Sequence, residues 1–309
     1  MTIMITSIVF TKNRPLQLEA YLRSRRRFFP EGINKTYIIY KVELFGDEYD
    51  QIFAEYPDCT IVRETDFHTD FMEIIRQIDT KYIMFGIDDV VFFDSIDFSV
   101  IDNAFDEYAD NIFGFTLRFD PESVKGEGDD LEEITVSGQK LYRLNWQKGC
   151  TPHTRYPFEL CSTIYKLDLV RQIFNGTMSS NEIARALFSP GSVLLSILGK
   201  VLSKRKILKS FGFFFSPNTL ESWNCRWCQN HGDQLPVYTY FQKLCASAVQ
   251  VNVVNTSTAG DFAGADEYTV ENLNAKFREG YKFDIDYVAG NKPPSLACGR
   301  EYFRLIKKK

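Results

Sequence analysis

Over its first third the chain alternates short apolar runs with polar stretches in which apolar residues recur at helical spacing. Ile5 to Phe10 reads as a strand, and Thr11-Lys12-Asn13-Arg14 as a polar turn. Pro15 then opens a helix running to about Arg27, at the position where proline is best tolerated. A second strand is expected over Thr36 to Val42, a helix over Glu48 to Tyr56 stopped by Pro57, and a short strand over Thr60 to Val62. Phe71, Ile74, Ile75 and Ile78 fall on one helical face. Tyr82, Ile83, Met84 and Phe85 form an unbroken apolar run, the pattern of a parallel strand covered on both faces. A helix around Ile101 to Tyr108 and a strand over Ile112 to Leu117 complete the series. Strand alternating with helix predicts an α/β fold with a doubly wound, mostly parallel sheet.

The rhythm degrades after Leu117. Asp120 to Glu133 is acidic and contains glycine, which predicts an exposed loop over the sheet rim. Ser162 to Phe174 reads as a strand passing into a helix, and helices are expected from Leu220 to about Asn230 and from Val270 to Glu279. Between Asn230 and Val270 the chain reads as loop-rich, and no internal repeat is found. The expected organisation is a regular nucleotide-binding half, residues 1–118, and an irregular half, residues 119–309, shaping a second substrate site.

Composition narrows the classes. A chain of 309 residues can bury a large core, and its net charge of −5 argues against a nucleic-acid partner. The seven cysteines are scattered and odd in number, as in a reducing compartment. MTIMITSIVF reads as a first strand rather than a signal peptide, and no apolar run reaches the roughly 20 residues of a membrane span. The expected location is cytoplasmic. Ser192 to Lys209 adds a second expectation, peripheral contact with the inner face of a membrane. There Leu194, Ile197, Leu198, Val201 and Leu208 line one helical face, with Lys200, Lys204, Arg205, Lys206 and Lys209 around it. A core-packing helix with a solvated basic side fits the same pattern.

Candidate chemistry centres on Asp88 and Asp89, which follow the buried run. Adjacent acids at the end of a parallel strand lie where open α/β sheets bind ligands, and burying them demands a cation or hydrogen-bond donors. Mg²⁺ or Mn²⁺ with a nucleotide diphosphate meets that demand; a turn closed by an Asx-type hydrogen bond needs no ligand. The glycine patterns of dinucleotide enzymes and P-loop enzymes are absent. Cys225-x-x-Cys228-x-x-His231 offers three zinc-type ligands without a second pair, so half-buried cysteines on a helix are the competing reading. His68 and His153 stand alone; His153 is either a phosphate contact or a structural residue.

SIVFTKNRP, then a strand ending in Asp88-Asp89, then YPFELCSTIYKLDLV (Tyr156 to Val170) and SPNTLESW (Ser216 to Trp223), resemble in this order the GT-A-fold glycosyltransferases of the family-two bacterial type. The resemblance implies a GT-A-like (Rossmann-like) domain whose second half binds the acceptor. It implies a metal-dependent transferase that moves a sugar from a nucleotide-sugar donor to a hydroxyl acceptor with inversion. The acceptor would be a saccharide or a lipid-linked saccharide, in polysaccharide or glycolipid assembly. By resemblance Asp89 holds the metal, Asp88 holds ribose or metal, and Thr11, Asn13 and Arg14 contact the nucleotide. Cys161, Ser162 and Thr163 wall the donor sugar, and Glu221 takes the acceptor proton. Glu159 is the second candidate base, and Glu221 also fits a helix-capping box with Asn218. Val90 stands where many relatives carry a third acid, and the tail offers Cys298 where many carry a metal-binding histidine. A non-catalytic nucleotide- or carbohydrate-binding protein on this fold, and a sugar-phosphate nucleotidylyltransferase, are the alternatives.

Overall fold

The computed structural model describes residues 5–124, 131–187, 214–252 and 266–307. In chain order the first half holds β1 (Ile5–Lys12), α1 (Pro15–Phe28), β2 (Ile33–Lys41), α2 (Gly46–Glu55), β3 (Cys59–Arg63), α3 (Phe67–Gln77), β4 (Tyr82–Ile87), β5 (Val90–Phe92), α4 (Phe98–Glu107) and β6 (Ile112–Thr116). There follow β7 (Leu131–Val136), β8 (Gln139–Asn145), β9 (Thr163–Lys166), α5 (Leu167–Leu187), α6 (Pro217–Asn230), β10 (Tyr238–Phe241) and β11 (Ala246–Val249). The chain closes with α7 (Val270–Arg278), β12 (Tyr281–Phe283), α8 (Ile285–Asn291), β13 (Ala297–Cys298) and β14 (Leu305–Lys307).

Local chemistry sets the helix starts. Pro15 is the first residue of α1, whose last turn carries Arg25, Arg26 and Arg27 against the negative end of the helix dipole. Asp66 and Asp97 cap α3 and α4 by accepting the backbone N–H of Thr69 and Ser99. At α6 the capping box is Ser216 with Thr219, not Asn218 with Glu221, so the Glu221 carboxylate is free of capping duty.

Among the described residues nine strands form the main sheet, in the order β3-β2-β1-β4-β9-β6-β10-β8-β7. β3, β2, β1 and β4 run parallel, and β9 lies antiparallel between β4 and β6. The mostly parallel α/β sheet that the strand–helix alternation predicts is present, and both halves of the chain build it. The sheet is covered on both faces, as the apolar run in β4 requires. Val9, Tyr82 and Met84 pack with α1 and α4, whereas Ile8, Phe10, Ile83 and Phe85 pack with α3 and α5. Gly86 lets α1 approach closely: a Cβ there would lie 2.2 Å from the Tyr21 hydroxyl oxygen.

Two expectations need correction. Leu131 to Glu133 are not loop but the start of β7, which pairs with β8 as an antiparallel hairpin at the sheet edge. The expected loop stretch before Val270 contains β10 and β11. β10 enters the main sheet between β6 and β8, while β11 joins β5 and β13 in a small second sheet. The segment Ser192 to Lys209 lies outside the described residues. Among the described residues no helix is long and apolar enough to cross a membrane.

Candidate active site

β4 ends at the sheet rim, and the next two residues are Asp88 and Asp89. β5 then pairs with β11, and the Val249 N–H donates to the Asp89 carbonyl at 2.8 Å, so backbone holds the turn on both sides. The turn after β1 faces the pair. Thr11 Oγ1 donates to Asp88 Oδ2 at 2.8 Å, and the Lys12 N–H approaches the same oxygen at 3.4 Å. Arg14 Nη1 donates to Asp88 Oδ1 at 2.8 Å and to Asp89 Oδ2 at 3.4 Å, and Arg14 Nη2 donates to the Asn252 carbonyl at 2.9 Å. The demand for a counter-ion, which predicted a ligand, is therefore partly met by a side chain of the protein. Burial pushes the Asp89 carboxyl up to about 6; Arg14 opposes the rise and Asp88 adds to it.

The other turn residues support rather than line this corner. Asn13 adopts a left-handed backbone (φ 53°), and its Oδ1 accepts the N–H groups of Glu43 and Leu44 at 3.0 and 3.1 Å. Its side chain fixes the loop between β2 and α2. Tyr49 is a further member of this corner, and nothing in the apolar pattern of the sequence marks it. Its hydroxyl bonds Thr11 Oγ1 at 2.8 Å and accepts the Arg14 N–H at 3.0 Å, and burial pushes its own ionisation far up.

A second group of acids stands further along the rim. Glu159 is 8% exposed and fully engaged: Arg118 and Thr163 donate to its oxygens, and the Cys161 N–H donates at 3.2 Å. Glu221, on α6, accepts the Leu160 N–H at 3.1 Å. Burial pushes the Glu221 carboxyl up to about 7; the Glu159 charge adds to the rise, and the Leu160 N–H and Arg118 oppose it. Asp89 acts on Glu221 and Arg118 acts on Asp89, so the two acid groups share one electrostatic environment. Burial pushes the Cys161 thiol well up, which makes it a poor nucleophile.

A cavity of about 50 Å³ opens beside this group, lined among others by Arg118, His153, Tyr156, Glu159, Thr163 and Thr239. Of the residues expected to wall a donor sugar, Thr163 lines this cavity. Ser162 does not: its N–H donates to the Phe85 carbonyl at 2.8 Å, its backbone is left-handed (φ 73°), and its side chain is fully buried. Arg118, which binds Glu159, carries no periodic signal in the sequence. It lies two residues past the end of β6, at the rim where open α/β sheets bind ligands, and that position is the one available clue.

The donor set accommodates a hard divalent cation in a limited way. Asp89 Oδ1 is buried and has no hydrogen-bond partner among the described residues, whereas both oxygens of Asp88 are engaged. Among the described residues no group of three His, Cys, Asp or Glu side chains could hold a metal. Mg²⁺ or Mn²⁺ that takes most of its ligands from water and a diphosphate needs one or two carboxylates, and Asp89 with Asp88 beside it fits that requirement. The Cys225, Cys228 and His231 set does not read as a ligand cluster. Both thiols are buried in the core, while His231 stacks on Trp227 and its Nδ1 lies 2.9 Å from the Trp227 carbonyl.

No family model matches the chain. The bifunctional glycosyltransferase pgtA of Dictyostelium discoideum is 22% identical over 209 residues, covering 60% of this chain. The chain spans 27% of that relative's length. The crystal structure of S. aureus TarS superposes over 55% of this chain and 29% of its own, with 15% identity and a TM-score of 0.37. A mannosyltransferase from Pyrobaculum calidifontis, in complex with GDP-Man and Mn²⁺, covers 38% of this chain and 36% of its own, with 16% identity and a TM-score of 0.30. The strand order stands on the chain's own hydrogen bonds. In sequence the chain resembles the glycosyltransferases.

Proposed function

We propose that this chain is a glycosyltransferase of the GT-A type, moving a sugar from a nucleotide-sugar donor to a hydroxyl acceptor. The observation that carries the reading is the single rim where β4 delivers Asp88 and Asp89 and α6 delivers Glu221, with Glu221 held near 7. A carboxylate near neutrality is suited to take a proton from a sugar hydroxyl. Glu159 is the poorer base, because Arg118, Thr163 and the Cys161 amide already occupy its oxygens.

In this reading the donor's nucleotide lies against the turn after β1, with Thr11 and Arg14 orienting Asp88. Asp89, with Asp88 beside it, would hold Mn²⁺ or Mg²⁺, which when bound supplies positive charge to the leaving diphosphate. Glu221 deprotonates the acceptor hydroxyl as it attacks the anomeric carbon, and a single displacement inverts that centre. The acceptor, a saccharide or lipid-linked saccharide in polysaccharide or glycolipid assembly, approaches Glu221 along this rim. The setting is cytoplasmic, at or near the inner membrane face.

A panel of nucleotide-sugars tested for thermal stabilisation with and without Mn²⁺, followed by release of nucleoside diphosphate on addition of saccharide acceptors, is the experiment. Stabilisation by one donor and acceptor-dependent release support the enzyme. Stabilisation without any turnover would favour the non-catalytic binding protein. Pyrophosphate release from a nucleoside triphosphate and a sugar phosphate would point to the nucleotidylyltransferase.

A further inference from the structure

The carboxylate pair already has a cation. Arg14 is 7% exposed, and one of its nitrogens bridges the two acids, at 2.8 Å to Asp88 and 3.4 Å to Asp89. The two bonds are unequal: the first has ordinary hydrogen-bond length, and the second lies at the limit. The guanidinium is anchored elsewhere as well, through Nη2 to the Asn252 carbonyl at 2.9 Å. Releasing Asp89 would therefore cost one long contact and leave Arg14 in place on Asp88.

We infer that Arg14 is a resident counter-ion that competes with a divalent cation for Asp89, so that the pair captures the cation only together with a nucleoside diphosphate. The inference rests on the donor site proposed above and adds an order of binding to it. Two carboxylates and one guanidinium leave a residual charge of about −1 at the pair. Other basic groups nearby are committed: Lys12 Nζ pairs with Glu43 at 3.1 Å, and Arg118 pairs with Glu159. A bare divalent ion entering this corner meets one unbalanced negative charge and a cation already bound to its ligand. An ion arriving with a diphosphate brings its own negative oxygens. Arg14, freed from Asp89, has a donor to offer them, and its Nε, buried and without a partner among the described residues, is a second.

The experiment is titration of Mn²⁺, with free ion read by electron paramagnetic resonance, on the wild type, Arg14→Gln and Asp89→Asn. Each protein is titrated alone and with UDP or GDP. Wild-type protein should bind Mn²⁺ about tenfold or more tightly with the accepted nucleotide than without it. Arg14→Gln should bind Mn²⁺ alone about tenfold or more tightly than the wild type, and Asp89→Asn should lose that binding. A purely structural Arg14 would give no gain in metal affinity. Wild-type protein that binds Mn²⁺ alone, through Asp89, as tightly as with nucleotide overturns the inference, whether or not Arg14→Gln folds. So does a folded Arg14→Gln with unchanged or weaker affinity. Failure of both nucleotides to bind would count against the proposed donor site instead, while the nucleotide-free titrations still decide the role of Arg14.

Discussion

Glu159 and Glu221 meet at one short stretch of backbone, but of the two only Glu159 is hydrogen-bonded to Arg118. Glu221 accepts the N–H of Leu160, the residue after Glu159, whereas Arg118 donates to Glu159 and to the Leu296 carbonyl. One acid thereby has both oxygens occupied by donors. The other is left buried, beside a negative charge, with a proton affinity suited to moving a proton.

Replacing Glu221 with Gln keeps the side-chain shape and an oxygen for the Leu160 N–H. Donor affinity should therefore hold while sugar transfer falls about 100- to 10,000-fold. Parallel titration calorimetry and initial-rate assays check this, and wild-type rates in the variant would move the base to Glu159.

The same substitution should change the pH dependence of stability. Folding raises the Glu221 carboxyl from 4.5 to about 7, so native protein keeps a proton that the unfolded chain releases between those values. The stabilising contribution is complete below 4.5 and is lost as pH rises through about 7. Glu221→Gln should therefore match the wild type near pH 4 and exceed it near pH 8.5, by up to about 3 kcal/mol. Urea unfolding at the two pH values is the measurement.

Glu159→Ala leaves the Arg118 guanidinium buried without its carboxylate, and should cost about 3–5 kcal/mol. The double variant Glu159→Leu with Arg118→Met removes both charges together and should recover most of that loss. Denaturation of the wild type, the single variants Glu159→Leu and Arg118→Met, and the double variant gives the coupling energy, and simple additivity would mean that the pair is not coupled.

Asp89→Ala should abolish Mn²⁺-dependent nucleoside diphosphate binding without unfolding the protein, since the change removes a buried acid that is only weakly bonded to Arg14. Unchanged metal and nucleotide affinity by calorimetry would remove the site from this corner.

Gly86→Ala tests the packing beneath the site. The added methyl would lie 2.2 Å from the Tyr21 hydroxyl oxygen, between β4 and α1. Relief requires a shift of the fully buried Tyr21 ring, so a loss of about 1–3 kcal/mol is expected on thermal or chemical denaturation.

The sequence by itself determined the strands and helices of the first half, because apolar periodicity is a local property. Ile5 to Phe10, the Pro15 helix and the run ending at Asp88 each announce themselves within a dozen residues. It also singled out Asp88, Asp89, Glu159 and Glu221 as acids needing an explanation. Only the tertiary structure decided what they face. Arg14 lies 74 residues before Asp88, and Arg118 lies 41 before Glu159; charged partners leave no periodic trace that would pair them. The insertion of β9 antiparallel beside β4, and the use of β10 and β11 in different sheets, were equally invisible. β10 and β11 are four residues long, too short for a repeat to distinguish strand from loop, and their identity comes from the hydrogen bonds of neighbours distant in the chain.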